Sequence, residues 1–174
     1  MNILLTRHKS AGQQKNEKGF SLIELVLVVV VIGIIATIVI ARFQSAVKAS
    51  NESSAVSGLK LIHSAQTTYR ANAEAFGSMD NLMATKTIDE AFGDDDSDPN
   101  TGERSGYKYL ITITGENNFI LSAIPVSTGI NGSGNKRFGT DASGSLYRDD
   151  NNLTSHYLTE TELRGGTSVP YDSN

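Results

Sequence analysis

From Phe20 to Ile40 the chain reads FSLIELVLVVVVIGIIATIVI, and the 17 residues from Leu25 to Ala41 carry no charge. No other stretch constrains the fold as strongly. Wound as an α-helix at about 1.5 Å per residue, the Phe20–Ile40 run would be roughly 31 Å long, the thickness of a bilayer core. In lipid a backbone must satisfy its own hydrogen bonds, so the many Val and Ile residues do not argue against a helix there. Glu24 is the one charge within the run. A carboxylate at mid-bilayer costs on the order of 2.5–3.5 kcal/mol, and less near the interface. A simple membrane anchor would have little reason to carry it. A cleaved secretory signal fits less well, because its apolar core spans only about 7–15 residues. The sequence after the run, ARFQSAVKAS, also lacks a small-x-small cleavage site.

Ahead of the run lies a basic segment. Residues 1–19 hold Arg7, Lys9, Lys15 and Lys18 against the single acid Glu17. This charge bias places that segment on the cytoplasmic side and everything after Arg42 outside. The whole chain has a formal charge of −4 and a pI near 5.3, which does not indicate nucleic-acid binding. It has no cysteine, which excludes a disulfide scaffold, a thiolate zinc site and a cysteine nucleophile.

Lys18-Gly19-Phe20-Ser21-Leu22-Ile23-Glu24-Leu25 resembles the processing site of type IV prepilins and the related pseudopilins. The shared pattern is a basic leader, a Gly, an aromatic residue, a small hydroxyl residue, two aliphatics, a Glu and then the apolar run. The resemblance implies that a membrane-embedded prepilin peptidase cuts between Gly19 and Phe20 and that Phe20 becomes N-methylated. It gives Glu24 the task of neutralising the N-terminal amine of a neighbouring subunit during filament assembly. Physical reasoning supports such a task, because a carboxylate in an apolar bundle is tolerable when paired and a pair across subunits sets their register. The leader is longer than in the commonest members, and no proline stands near Ala41, where many members have one.

The resemblance further implies an inner-membrane precursor that becomes a homo-oligomeric helical filament outside the cell. The inner-membrane assembly machinery would be its partner, and adhesion, twitching motility or DNA uptake its use. A pseudopilin of a type II secretion system, ending as a periplasmic pseudopilus, is the alternative within the family. The outer region lacks the proline- and tyrosine-rich segment expected of the major pseudopilin. An alternative of another class is a single-pass membrane-anchored binding domain.

Below the membrane segment (20–42) the helix is expected to continue through an amphipathic half (43–75) with no proline and one glycine, Gly58. Phe43, Val47, Val56, Leu59, Ile62, Tyr69 and Ala73 follow roughly 3–4 residue spacing and predict one buried stripe. Lys48, Asn51, Glu52 and Ser57 fall on the other face. Residues 76–106 read as a short helix N-capped by Ser78 with Asp80 in its first turn, followed by an acidic connecting loop. Residues 107–150 read as an antiparallel sheet. Tyr107 to Thr114 alternates with period two, Gly115–Asn118 turns, and Phe119 to Val126 returns. A second hairpin folds about Ala142-Ser143-Gly144. Residues 151–174 show no period and predict a loosely held polar tail. The expected class is α+β: a long N-terminal helix packed against an antiparallel sheet of about four strands, the pilin fold.

No enzyme signature is present. Once residues 1–19 are removed, His63 and His156 are the only histidines and lack metal-ligand spacing. No cofactor is required, but the loop at Asp94, Asp96 and Asp98 places carboxylates at alternate positions, a weak calcium pattern with Pro99 where an EF-hand glycine would stand. Removal of the leader takes four cations and one acid from a chain of charge −4, leaving −7. Many pilins staple their C-terminal region with a disulfide. Without cysteines, this chain must hold its tail by packing, hydrogen bonds or a bound cation.

Overall fold

In the computed structural model, residues 19–93, 97–150, 156–165 and 168–171 are described. The chain divides into two units, Met1–Val39 and Ile40–Asn174. In the first, the described part is the opening of helix α1, which runs in all over Leu22–Ala73. Among the described residues its apolar side chains from Leu22 to Val39 are exposed, and the apolar window is wholly unburied. This is the one helix among the described residues long and apolar enough to cross a membrane.

The second unit is built on the remainder of α1. Glu74 ends the helix in the left-handed region (φ 58°) and donates its N–H to Arg70 O at 2.9 Å. Gln66, fully buried about two turns earlier, then fixes the exit. Its Nε2 donates to Gly77 O at 2.6 Å and its Oε1 accepts from Gly77 N at 3.0 Å, so one amide satisfies both backbone groups of a buried residue. Helix α2 follows over Met79–Ala84, N-capped by Ser78, whose hydroxyl accepts from Asn81 N at 3.2 Å. A 3₁₀ turn at Glu90–Phe92 leads to the sheet.

The sheet has six strands, in spatial order identical to chain order and antiparallel throughout. They are β1 (Thr101–Arg104), β2 (Tyr107–Ile113), β3 (Phe119–Pro125), β4 (Arg137–Asp141), β5 (Leu146–Asp149) and β6 (Val169–Pro170). The β2–β3 pair has the expected hairpin, with Ile113 opposite Phe119 and the turn closed by Thr114 N to Asn118 O at 3.0 Å. A short helix α3 (Glu160–Arg164) precedes β6.

The α+β arrangement agrees with the sequence, but the sheet has six strands rather than about four. β1 lies in the segment expected to be a connecting loop. Its four residues, TGER, show no alternation; they are held by pairing to β2 and by contact with the 3₁₀ turn. A side chain at Gly102 would collide with Phe92 O. β6 and α3 come from the expected loose tail. Leu158 and Leu163 from that segment are buried against Ile120 and cover the face of the sheet turned away from α1. Consequently every residue of β3 is buried, with Phe119, Leu121 and Ala123 in the helix-side core and Ile120 on the other face. That two-sided cover accounts for the continuous apolar reading FILSAIP.

The amphipathic stripe also needs correction. Ala55, Val56, Leu59, Ile62 and Ala65 enter the core beside Tyr109, Ile111, Leu121, Phe92 and Met79, and Tyr69 packs at its edge. Phe43, Val47 and Ala73 stay exposed. Lys48, Asn51 and Glu52, expected on the free face, are half-buried and bind the β3–β4 loop. Lys48 Nζ donates to Gly129 O, Asn51 Nδ2 to Ser133 O at 2.9 Å, and Glu52 Oε1 accepts from Asn135 N at 3.0 Å. The Gly-rich loop leaves some backbone groups without a partner inside the loop, and a polar helix face supplies one.

Candidate functional site

The predicted processing border is open to solvent. Gly19 and Phe20 precede α1 in no regular element, nothing approaches the Gly19 Cα within contact distance of an added Cβ, and Phe20 is exposed. An exposed, unencumbered segment outside regular structure is the form in which a peptidase can take a backbone into its cleft. Lys18 and the rest of the leader lie outside the described residues.

Glu24 sits in the first turn of α1 and folds back on its own chain. Its Oε2 accepts the N–H of Ser21, the residue before the helix, at 2.9 Å. This is the reciprocal arm of a capping box, and a carboxylate there also complements the positive end of the helix dipole. The sequence reading missed this local role, although Ser21-x-x-Glu24 is itself the capping signal. The contact satisfies one of the four unpaired N–H groups of the helix start and holds the carboxylate one turn from Phe20.

The acidic loop is only partly described. Asp94 and Asp96 lie outside the described residues. Asp98 turns inward on its own loop, its Oδ1 accepting from Asn100 N and Nδ2 at 3.0 Å each. Among the described residues no group of three His, Asp or Glu side chains is placed to hold a metal.

What fastens the C-terminal segment is a buried charge cluster, which no local sequence pattern announced. Arg137 of β4 is 2% exposed, as is Asp149 of β5, to which its Nη2 donates. Arg137 Nη1 donates to His156 O at 3.0 Å and lies 3.2 Å from His156 Nε2, and Nη2 reaches Glu162 Oε1 of α3 at 3.5 Å. Glu162 also completes a capping box with Thr159, accepting from its N–H at 2.9 Å and its hydroxyl at 2.8 Å. Burial works against ionisation of Glu162, but those two hydrogen bonds, with His156 and Arg137 beside it, hold its carboxyl down to about 2. Packing and hydrogen bonds, rather than a disulfide, thus secure the tail.

The comparisons with known proteins bear on the N-terminal border. Residues 14–40 match the prokaryotic N-terminal methylation motif, which spans Gly19, Phe20, Glu24 and the apolar run. The chain therefore carries the signature of type IV pilin and pseudopilin precursors, an apolar transmembrane helix preceded by a processing site. Residues 41–174 lie outside that match. The chain matches no curated protein and no solved structure.

Proposed function

We propose that this chain is a structural subunit of a type IV pilus filament, cut after Gly19 by a prepilin peptidase, N-methylated at Phe20 and assembled through its N-terminal helix. The observation that carries the reading is the methylation motif over residues 14–40. Two features support it. The apolar half of α1 finds no cover among the described residues, as a helix intended first for lipid and then for a bundle of its copies would. The second unit is an antiparallel sheet closed on one side of a helix, with no constellation of catalytic groups among the described residues. The outer region also lacks the proline- and tyrosine-rich segment of a major pseudopilin.

The test is mass spectrometry of the subunit from sheared filaments made in a cell containing a prepilin peptidase. The expected N-terminus is methylated Phe20. Gly19→Val should leave residues 1–19 attached and yield no filaments. Recovery of wild-type chain only in the membrane, with residues 1–19 in place, would defeat the proposal.

Glu24 allows a finer separation. Glu24→Gln keeps an oxygen that can accept from Ser21 N but removes the charge, whereas Glu24→Ala removes both. If the carboxylate neutralises a neighbour's amine, both variants insert in the membrane and are cut, and both fail to assemble. Normal filaments from Glu24→Gln would reduce Glu24 to a helix cap.

A further inference from the structure

The second unit exposes an apolar cluster that its core does not use. Ile130 is 82% exposed, Phe43 is 68% exposed, and with Val47, Gln44, Asn131 and Gly132 they line one shallow groove. Ile130 is not on a slack loop. Ser133 N donates to Ser127 O at 2.9 Å and Ser127 N to Ser133 Oγ at 3.2 Å, closing the loop at its neck. Gly132 N donates to Gly129 O at 3.1 Å, and Gln44 Nε2 ties Asn131 Oδ1 to the helix at 2.8 Å. An apolar side chain is thus held outward on a loop braced both by its own hydrogen bonds and by bonds to the helix.

Arg42 and Lys48 are the helix charges nearest the cluster, and Glu52, one turn beyond Lys48, is paired with Lys136 at 3.3 Å. The helix segment from Ile40 to Asn51 contains Arg42 and Lys48 and no acid, and the stretch from Asn117 to Lys136 contains only Lys136, in a chain that is acidic as a whole. Phe43 also stands two residues beyond the charge-free run, about 3 Å of helix rise from its end.

We propose that the Phe43–Val47–Ile130 cluster is an interfacial foot that rests in the headgroup–acyl boundary of the bilayer anchoring the precursor, with Arg42 and Lys48 facing anionic headgroups. The proposal rests on the reading of the chain as a membrane-anchored precursor. Continuity with the apolar run favours lipid over a second copy of the chain, because Phe43 meets the bilayer border before any other subunit is present. Cationic residues beside an apolar cluster are what an anionic leaflet attracts.

The chain has no cysteine, so one introduced thiol is unique. Full-length chain carrying Ile130→Cys, or Asn131→Cys as a second site, is labelled with an environment-sensitive fluorophore. It is reconstituted at low protein density in phosphatidylcholine vesicles with and without phosphatidylglycerol. Ile113→Cys, beside the β2–β3 turn, is the reference. The expected result is a blue shift at 130 and 131, loss of emission to quenchers carried on shallow lipid positions, and a larger effect with phosphatidylglycerol; the 113 label should do neither. Emission at 130 and 131 as water-like as at 113, in chain that floats with the vesicles, overturns the foot and leaves the anchor standing. A blue shift that appears only at high protein density and ignores lipid quenchers assigns the cluster to a second copy and overturns the proposal. Chain that fails to float with vesicles overturns the anchoring reading and the foot with it.

Discussion

At Gly58 the helix meets Tyr109 so closely that a Cβ would stand 2.5 Å from the phenolic oxygen and 2.9 Å from Cζ. Both residues are buried, so neither has room to yield. Gly58→Ala should cost about 1–3 kcal/mol in urea unfolding. The Tyr109 hydroxyl finds no hydrogen-bonding partner among the described residues, and burial pushes it up to about 12 against the pull of Arg104. Tyr109→Phe should therefore be neutral or stabilising by up to about 1 kcal/mol, since it removes a buried polar group. In that background Gly58→Ala should cost measurably less, and a double-mutant cycle that closes to zero would show that the two do not share the strain. Arg137 is the other residue on which much depends. Arg137→Met strips buried Asp149 of its cation and should cost about 3–5 kcal/mol. Adding Asp149→Leu should recover part of that loss, because it removes the buried carboxylate while Glu162 keeps Thr159 and His156 as partners.

At the scale of elements, α3 and its latch set the response to acid. The Glu162 carboxyl lies below its ordinary 4.5 in the folded chain. Its contribution is therefore complete above about pH 4.5 and is lost as pH falls toward about 2, where the folded state must protonate it too. Amide exchange in residues 156–165 should accelerate over that window before exchange in β2 and β3 does. Glu162→Gln should flatten the dependence. The same elements show what the sequence could and could not disclose. The β2–β3 hairpin and α2 with its Ser78 cap were legible because periodicity, turn residues and a cap are written within ten residues of one another. β1 and β6 were not, because a four-residue and a two-residue edge strand owe their form to the strands they pair with. α3 did leave a signal, Thr159-x-x-Glu162, too short to register without the apolar run that normally follows. Arg137 was illegible for a different reason: its partners lie 12, 19 and 25 residues away. The methylation motif was legible because Gly19, Phe20 and Glu24 fall within six contiguous residues, all inside the match over residues 14–40. Helical period alone put Phe43 and Val47 in the core, since it says which residues share a face and not what that face meets.

For the molecule as a whole, the tail is part of the architecture. A chain stopped after Asp150 keeps all the strands from β1 to β5, yet it loses Leu158 and Leu163 from over Ile120 and the acceptors His156 O and Glu162 from Arg137. Such a chain should be recovered mainly as aggregate or fragments, and adding the 151–174 segment as a separate peptide should not restore it at ordinary concentrations. The cover on β3 also has a consequence in time. The chain is made from its N-terminus, so the hairpin partners of β3 are available as soon as β4 emerges, but its outer face stays bare until residue 163 has emerged. Residues 158–163 thus close an interval of vulnerability in every copy made, and chaperones or proteases have that interval in which to act.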